Sequence, residues 1–218
     1  MPTQSEENYL KTIYLLSKQG DEKVSTTSLA AALGNNPASV VDMLKKLKNK
    51  RLISYDKSRG AELLAAGIRT AVDTVRKHRL WELFLQEKLG YTWDEVHDLA
   101  EQLEHVQQEN LADRLDSFLG HPQYDPHGEP IPTSEGILPS FSIKTLRDVN
   151  LDGTCRVIAV KDTSKSFLQY LHKLNIGIGT IVKVTEIIEF DSSITILIND
   201  SEKATVSEKF ASGVYVKL

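Results

Sequence analysis

Cysteine is almost absent: among 218 residues there is only Cys155. One thiol cannot close an intrachain disulfide, a usage typical of reducing compartments, and it cannot build a cysteine zinc site. Long apolar runs are missing as well, since none approaches the roughly 20 residues of a membrane-spanning helix. The opening Met1-Pro2-Thr3-Gln4-Ser5-Glu6-Glu7 is polar and acidic, unlike a secretory signal. These absences lead us to expect a cytoplasmic protein with no membrane partner. Three enzyme signatures are also lacking: no clear nucleophile elbow, no phosphate-binding glycine loop and no His-Glu-x-x-His. A non-enzyme with no small organic substrate is the expectation.

What charge there is lies unevenly. Residues 1–70 carry 11 Lys/Arg against 7 Asp/Glu, residues 71–135 carry 5 against 14, and the remainder is nearly balanced, within a net −4. A basic head followed by an acidic middle suits a head that meets a polyanion and a middle that meets cations.

The apolar periodicity predicts a helix over 5–19, stopped by Gly20-Asp21, then a short extended piece at Val24–Thr26. Thr27 can cap a second helix over 28–33 that ends at Gly34. Asn36 can cap a third, with Pro37 at its first position, running to about Asn49. Two short apolar strands within 52–64 flank a polar hairpin holding Lys57, Arg59 and Gly60. In this order the elements read as a winged helix-turn-helix. Long helices are expected over 66–88 and 93–119, then a Pro/Gly-rich loop over 121–140. Five strands follow, over 154–160, 180–188, 193–198, 204–206 and 213–216, with one short helix over 166–174. The expected architecture is multidomain α+β: a winged helix-turn-helix over 1–70, a helical domain over 71–140 and a small β-barrel over 141–218.

Residues 97–105, His-Asp-Leu-Ala-Glu-Gln-Leu-Glu-His, hold two imidazoles and two carboxylates. At about 100° per residue, His97, Glu101, Glu104 and His105 share one helical face, with Val96, Leu99, Leu103 and Val106 on the other side. Such a stripe is either a solvated face or half of a metal site.

Three segments in this order, Lys77-His78-Arg79-Leu80-Trp81-Glu82, Glu101-Gln102-Leu103-Glu104-His105-Val106 and Asp125-Pro126-His127-Gly128-Glu129-Pro130-Ile131-Pro132, resemble the diphtheria toxin repressor and manganese transport regulator family. The resemblance covers essentially the whole chain. It implies a homodimeric, metal-activated repressor of manganese or iron homeostasis genes, binding double-stranded operator DNA, with an SH3-like (FeoA-like) C-terminal module. It also implies two metal sites. One would take Glu82, Asp125, His127 and, less securely, Asp162. The other would take Asn8, Glu101, Glu104 and His105, with His78 able to serve either and His97 matching an ancillary ligand. Oxygen-rich sets with one or two imidazoles suit Mn²⁺ or Fe²⁺. Glu101 stands where iron-type members resemble one another in carrying Cys, which tilts the expectation toward Mn²⁺. Two positions depart from the family pattern: the N-terminal ligand is the neutral Asn8, and Lys11 stands where manganese-type members have a further carboxylate.

For DNA, the third helix would offer Asn36, Pro37, Ala38, Ser39 and Asp42 to base edges, while Lys46, with Lys45, Lys48, Lys50 and Arg51 near it, supplies charge. Lys57 and Arg59 in the wing would grip phosphates. Two other readings stay open: a winged-helix regulator that responds to a non-metal ligand, and a metal-dependent hydrolase with Glu104 as base.

Overall fold

The computed structural model describes residues 2–17, 22–92, 95–139, 144–162 and 164–218. The expected helix stop at Gly20-Asp21 and helix start at Trp93 lie outside the described residues. The chain forms two compact units that interleave along the sequence. The first comprises Met1–His78, Glu101–Asp113 and Pro132–Ile137; the second comprises Arg79–Ala100, Arg114–Ile131 and Leu138–Leu218.

In the first unit, α1 (Gln4–Leu16) begins at Thr3, whose hydroxyl accepts from Glu6 N while the Glu6 carboxylate accepts from Thr3 N, a reciprocal cap. α2 (Thr26–Leu33) is capped by Ser25 rather than Thr27 and ends at Gly34 with φ 63°. α3 (Pro37–Asn49) starts as expected, with Asn36 Oδ1 accepting from Ala38 N at 2.8 Å and Pro37 in the first turn. β1 (Ile53–Asp56) and β2 (Gly60–Leu63) pair antiparallel as the wing, and Val24 adds a bridge to Ala61. A Cβ on Gly60 would stand 2.4 Å from Val24 O, so this crossing needs glycine. Leu10, Ile13, Leu29, Val40, Leu44, Leu47 and Ile53 are fully or almost fully buried in one core, which ties α1 to the helix-turn-helix. Truncating such a residue to alanine costs about 2–5 kcal/mol.

α4 (Ala65–Leu89) matches the expected long helix. The second long helix does not form as one piece: α5 (Val96–Leu103) and α6 (Leu111–Phe118) are separate. Between them lies the polar run Gln107-Gln108-Glu109-Asn110, and Asn110 takes φ 60°. No apolar side chain anchors these positions, and asparagine tolerates the left-handed turn. Glu104 and His105 therefore sit in the turn just beyond α5, and the four-residue helical stripe predicted from His97 to His105 is interrupted.

In the second unit, β3 (Lys144–Thr145), β4 (Thr154–Val160), β5 (Ile181–Ile187), β6 (Ile194–Ile198), β7 (Glu202–Val206) and β8 (Val214–Lys217) make one antiparallel sheet in the order β3-β8-β4-β5-β6-β7. α7 (Lys165–Lys173) and α8 (Glu208–Ser212) complete it. The expected barrel is not closed: no β3–β7 pairing occurs among the described residues. Register shifts in β4 and β5 bend the sheet around its core of Leu146, Val157, Leu171, Val182, Val184, Ile196 and Phe210. Cys155 belongs to this core; burial pushes its thiol up to about 11, and its Sγ donates to Val182 O. No helix among the described residues is long and apolar enough to cross a membrane.

Candidate metal centre

The first unit gathers one cluster of carboxylates and imidazoles around Glu104, which is 1% exposed. Glu104 Oε2 lies 2.6 Å from His78 Nδ1, and Lys11 Nζ is 2.8 Å from both carboxylate oxygens. Burial works against the charge of Glu104, but the hydrogen bond from His78 and the Lys11 ammonium hold its carboxyl below the usual range. His105 Nε2 is 3.4 Å from Glu104 Oε1, and Lys11 Nζ is 3.4 Å from Glu101 Oε1.

Glu7, which the sequence reading did not single out, sits behind His105. Its Oε2 is 2.6 Å from His105 Nδ1, and its Oε1 accepts from Gln107 Nε2 at 2.7 Å. A carboxylate accepting at this distance makes Nδ1 the donor, and in the neutral ring Nε2 is then the acceptor nitrogen. A carboxylate behind a histidine in this way orients the ring as a metal ligand. The hint was available: the cap explains Glu6 in Thr3-x-x-Glu6, and leaves the adjoining Glu7 without a role.

Besides Glu104 Oε1, which is also buried without a hydrogen bond, two ligand-type atoms in this region fit a bound cation. His105 Nε2 and Asn8 Oδ1 are both buried, and neither has a hydrogen-bond partner among the described residues. Asn8 lies on α1 between Glu7 and Lys11. A buried acceptor left without a donor is costly, and a divalent ion would satisfy it.

The second unit gathers another cluster around Glu82, which is 2% exposed. Glu82 Oε1 is 3.0 Å from His97 Nδ1 and 3.6 Å from His127 Nε2. Asp125 is buried; burial first, and then the Glu82 carboxylate, push its carboxyl well above the usual range. Asp125 Oδ1 accepts from His127 N and Glu129 N, which folds the loop tightly about itself. Arg79 donates to Pro130 O at 2.6 Å and to the Glu129 carboxylate, stapling the same loop to α4. Gly128 takes φ 79°, and a Cβ there would meet the Tyr215 ring at 2.5 Å. Two buried carboxylates that raise one another's cost, with two imidazoles beside them, also fit a divalent cation. Asp162 is engaged differently: its Oδ1 accepts from Ser164 N at 2.9 Å, in the turn before α7.

The candidate DNA surface is divided as well. Asn36, Pro37, Ala38, Ser39 and Asp42 are exposed along the outer side of α3, and Lys57 and Arg59 are exposed in the wing. The Asp42 carboxylate pairs with Lys45 at 3.3 Å. Asp56 accepts from the backbone of Ser58 and Arg59 and so shapes the hairpin that carries both wing cations. Lys46, itself exposed, lies 3.0 Å from the buried Glu6, which Lys50 also contacts at 2.7 Å.

Three family models match consecutive segments: the iron dependent repressor N-terminal DNA binding domain over 1–61, the iron dependent repressor metal binding and dimerisation domain over 65–133, and the FeoA domain over 144–218. The iron-dependent repressor IdeR of Mycobacterium leprae is 34% identical over 126 residues, covering 58% of this chain and 54% of that protein. The chain thus spans about half the length of the iron-dependent repressors it matches. The regulator MntR of Oceanobacillus iheyensis is 34% identical over 122 residues, 56% of this chain and 81% of that one. A solved manganese-dependent transcriptional repressor in complex with manganese is 33% identical, with TM-score 0.70, over 97% of this chain and 99% of that one. The manganese regulator SloR is 36% identical with TM-score 0.59, over 97% of both. With its helix-turn-helix, its carboxylate–imidazole clusters and its C-terminal sheet, the chain belongs to the iron-dependent repressor family of metal-dependent transcriptional regulators.

Proposed function

We propose that this chain is a metal-activated DNA-binding repressor of manganese or iron homeostasis genes, acting in the cytoplasm as a homodimer on double-stranded operator DNA. The observation that carries the reading is the buried Glu104, with His78 and His105 beside it and Glu7 orienting His105. In functional terms we assign 1–70 to DNA binding, 71–140 to metal binding and dimerisation, and 141–218 to the FeoA-like module.

The residues that would hold Mn²⁺ or Fe²⁺ are Glu101, Glu104, His105 and Asn8, with His78 beside Glu104, in one cluster, and Glu82, Asp125, His127 and His97 in the other. A bound divalent ion supplies positive charge where these clusters have an excess of carboxylate. Carboxylate, amide oxygen and imidazole favour Mn²⁺ or Fe²⁺ over thiophilic Cu⁺, and the protein's one thiol lies in the core of the C-terminal sheet. Glu7 fixes the His105 ring and Arg79 fixes the loop bearing Asp125 and His127, so both sets are organised before an ion arrives. Residues 7–11 lie on α1, which packs in the same core as α3. Ion binding at the first cluster therefore favours one placement of α1, and with it one placement of the reading helix, a population shift rather than a new fold. For the homodimer, Phe118 and Leu89 are 64% and 58% exposed, and Phe84 lies 6.0 Å from the Phe118 ring, an apolar patch suited to a second copy.

The test is selection of duplexes from a random-sequence pool with chelator-treated protein, with and without Mn²⁺ under anaerobic conditions. Enrichment of a site with two half-sites only with Mn²⁺ supports the proposal. Equal enrichment in chelator moves the chain to the metal-independent regulators, and no enrichment under either condition removes sequence-specific DNA binding. On the selected duplex, Lys57→Ala and Arg59→Ala should each lower the salt slope of binding by about one. Lys46→Ala, engaged with Glu6, should leave that slope unchanged.

A further inference from the structure

We infer that Lys11 is a resident competitor cation, one that limits the Glu104 cluster to a single, weakly held divalent ion and so sets the metal level at which it fills. The inference rests on the metal-responsive reading above. The Lys11 ammonium is 2.8 Å from both oxygens of Glu104 and 3.4 Å from Glu101 Oε1, so it sits where a cation shared by these two carboxylates would sit. Lys11 is only 8% exposed, so this is an interior contact and not a solvated surface pair. A charge count gives the same answer. Among the described contacts, Glu7, Glu101 and Glu104 bring three negative charges and Lys11 returns one, a balance that one divalent ion matches.

The remaining donors show where that ion would go. His105 Nε2 and Asn8 Oδ1 are buried without hydrogen-bond partners among the described residues, and the ammonium satisfies neither. An ion that engages them together with Glu104 has to displace Lys11 from one carboxylate oxygen or share Glu104 with it. Either way, part of the ion's attraction is spent against a positive charge already in place. Lys11 also does something for the metal-free protein: it keeps a buried carboxylate from standing alone. The residue thus stabilises the empty cluster and weakens the filled one, the combination that raises a binding threshold.

The experiment is an anaerobic Mn²⁺ titration of the full chain by competition with a fluorescent chelator, with thermal melting of the metal-free and Mn²⁺-loaded protein. It is done in a His127→Ala background so that the Glu104 cluster is read alone. Lys11→Gln keeps a hydrogen-bond donor beside Glu104 and removes the charge; Lys11→Met removes both; Lys11→Arg keeps the charge. We expect Lys11→Gln to bind Mn²⁺ about tenfold tighter than its parent, to melt lower without metal and to gain more melting temperature on loading. Lys11→Arg should stay with the parent. If Lys11→Gln and Lys11→Met bind Mn²⁺ no tighter than the parent, the inference is overturned and Lys11 is only a structural partner of Glu104. If the wild-type chain takes up no Mn²⁺ at either cluster, the metal-responsive reading falls and this inference falls with it.

Discussion

The two clusters use similar side chains and solve their charge problem in opposite ways. Around Glu104 the protein provides its own cation, Lys11, and the carboxyl is held below its usual range. Around Glu82 the described contacts are imidazoles, His97 at 3.0 Å and His127 at 3.6 Å, and a second buried carboxylate, Asp125, stands nearby. Arg79 stands 3.6 Å from Asp125 but also donates to Glu129 and Pro130, and the Asp125 carboxyl is pushed well up by burial and by Glu82. Burial alone therefore does not mark a metal site. The first cluster is nearly content without an ion, while the second carries a repulsion that an ion would relieve. The Glu82 cluster should accordingly be the tighter of the two.

The comparison can be broken most directly at the second cluster. His127→Ala should weaken the tighter Mn²⁺ site by about a hundredfold or more, read by calorimetric titration; a change confined to the weaker site would reverse the ranking. Next, Glu6→Gln addresses a carboxylate that has internal cations. Burial opposes its charge, but Lys50, the Thr3 backbone and Lys46 lower its pKa to about 2 from 4.5. A depressed acid stabilises the fold above its unfolded pKa. The variant should therefore lose about 2 kcal/mol at neutral pH, with allowance for the half-exposed lysines. The difference from wild type should shrink as pH falls from about 4.5 towards 2. Chemical denaturation across that range reads it.

Asp125→Asn should do the opposite. A raised acid contributes stability that is present at low pH and lost as pH climbs through its folded pKa. The metal-free variant should thus melt higher than wild type at neutral pH and match it near pH 4 and below, while binding Mn²⁺ more weakly. A lower melting temperature at neutral pH would mean that Arg79, not Glu82, dominates the surroundings of Asp125. The smallest expected effect is Glu7→Gln. An amide can turn its own donor towards His105, so the ring loses its fixed orientation, and Mn²⁺ affinity at the first cluster should fall by about tenfold. An unchanged affinity would reduce Glu7 to a packing residue.

Much of the fold could be read from local chemistry. Asn36-Pro37 starts α3, Gly34 ends α2, and the apolar period of 65–89 gives α4 nearly to the residue. The break between α5 and α6 was not legible, because Val106 and Leu111 continue a helical spacing that the run from Gln107 to Asn110 does not support. Burial there is inverted relative to side-chain type: Glu104 is 1% exposed and Val106 40%. Lys46 could not be separated from the other lysines of α3 by spacing, since its partner Glu6 lies on another helix. The open sheet was similarly hidden, because strand lengths and turns do not say whether edge strands meet. For the clusters, residue types were legible and partnerships were not. Glu7 and Lys11 act across some 90 to 100 positions of sequence, a separation no local pattern reports.

That separation has a consequence for the chain as a polymer. The contacts of Glu7 and Lys11 with residues 101–107 close a loop that takes in the helix-turn-helix, its wing, all of α4 and much of α5. A cross-link over so long a loop removes more freedom from the open chain than a short one would, and the increment grows only slowly with length. Here the link is made of charges rather than of a covalent bond, so its strength can be adjusted by which cation sits in it. Exchange of backbone amides in α1 would then report on the identity of that cation, with the first helix of the chain acting as the free end of a clasp.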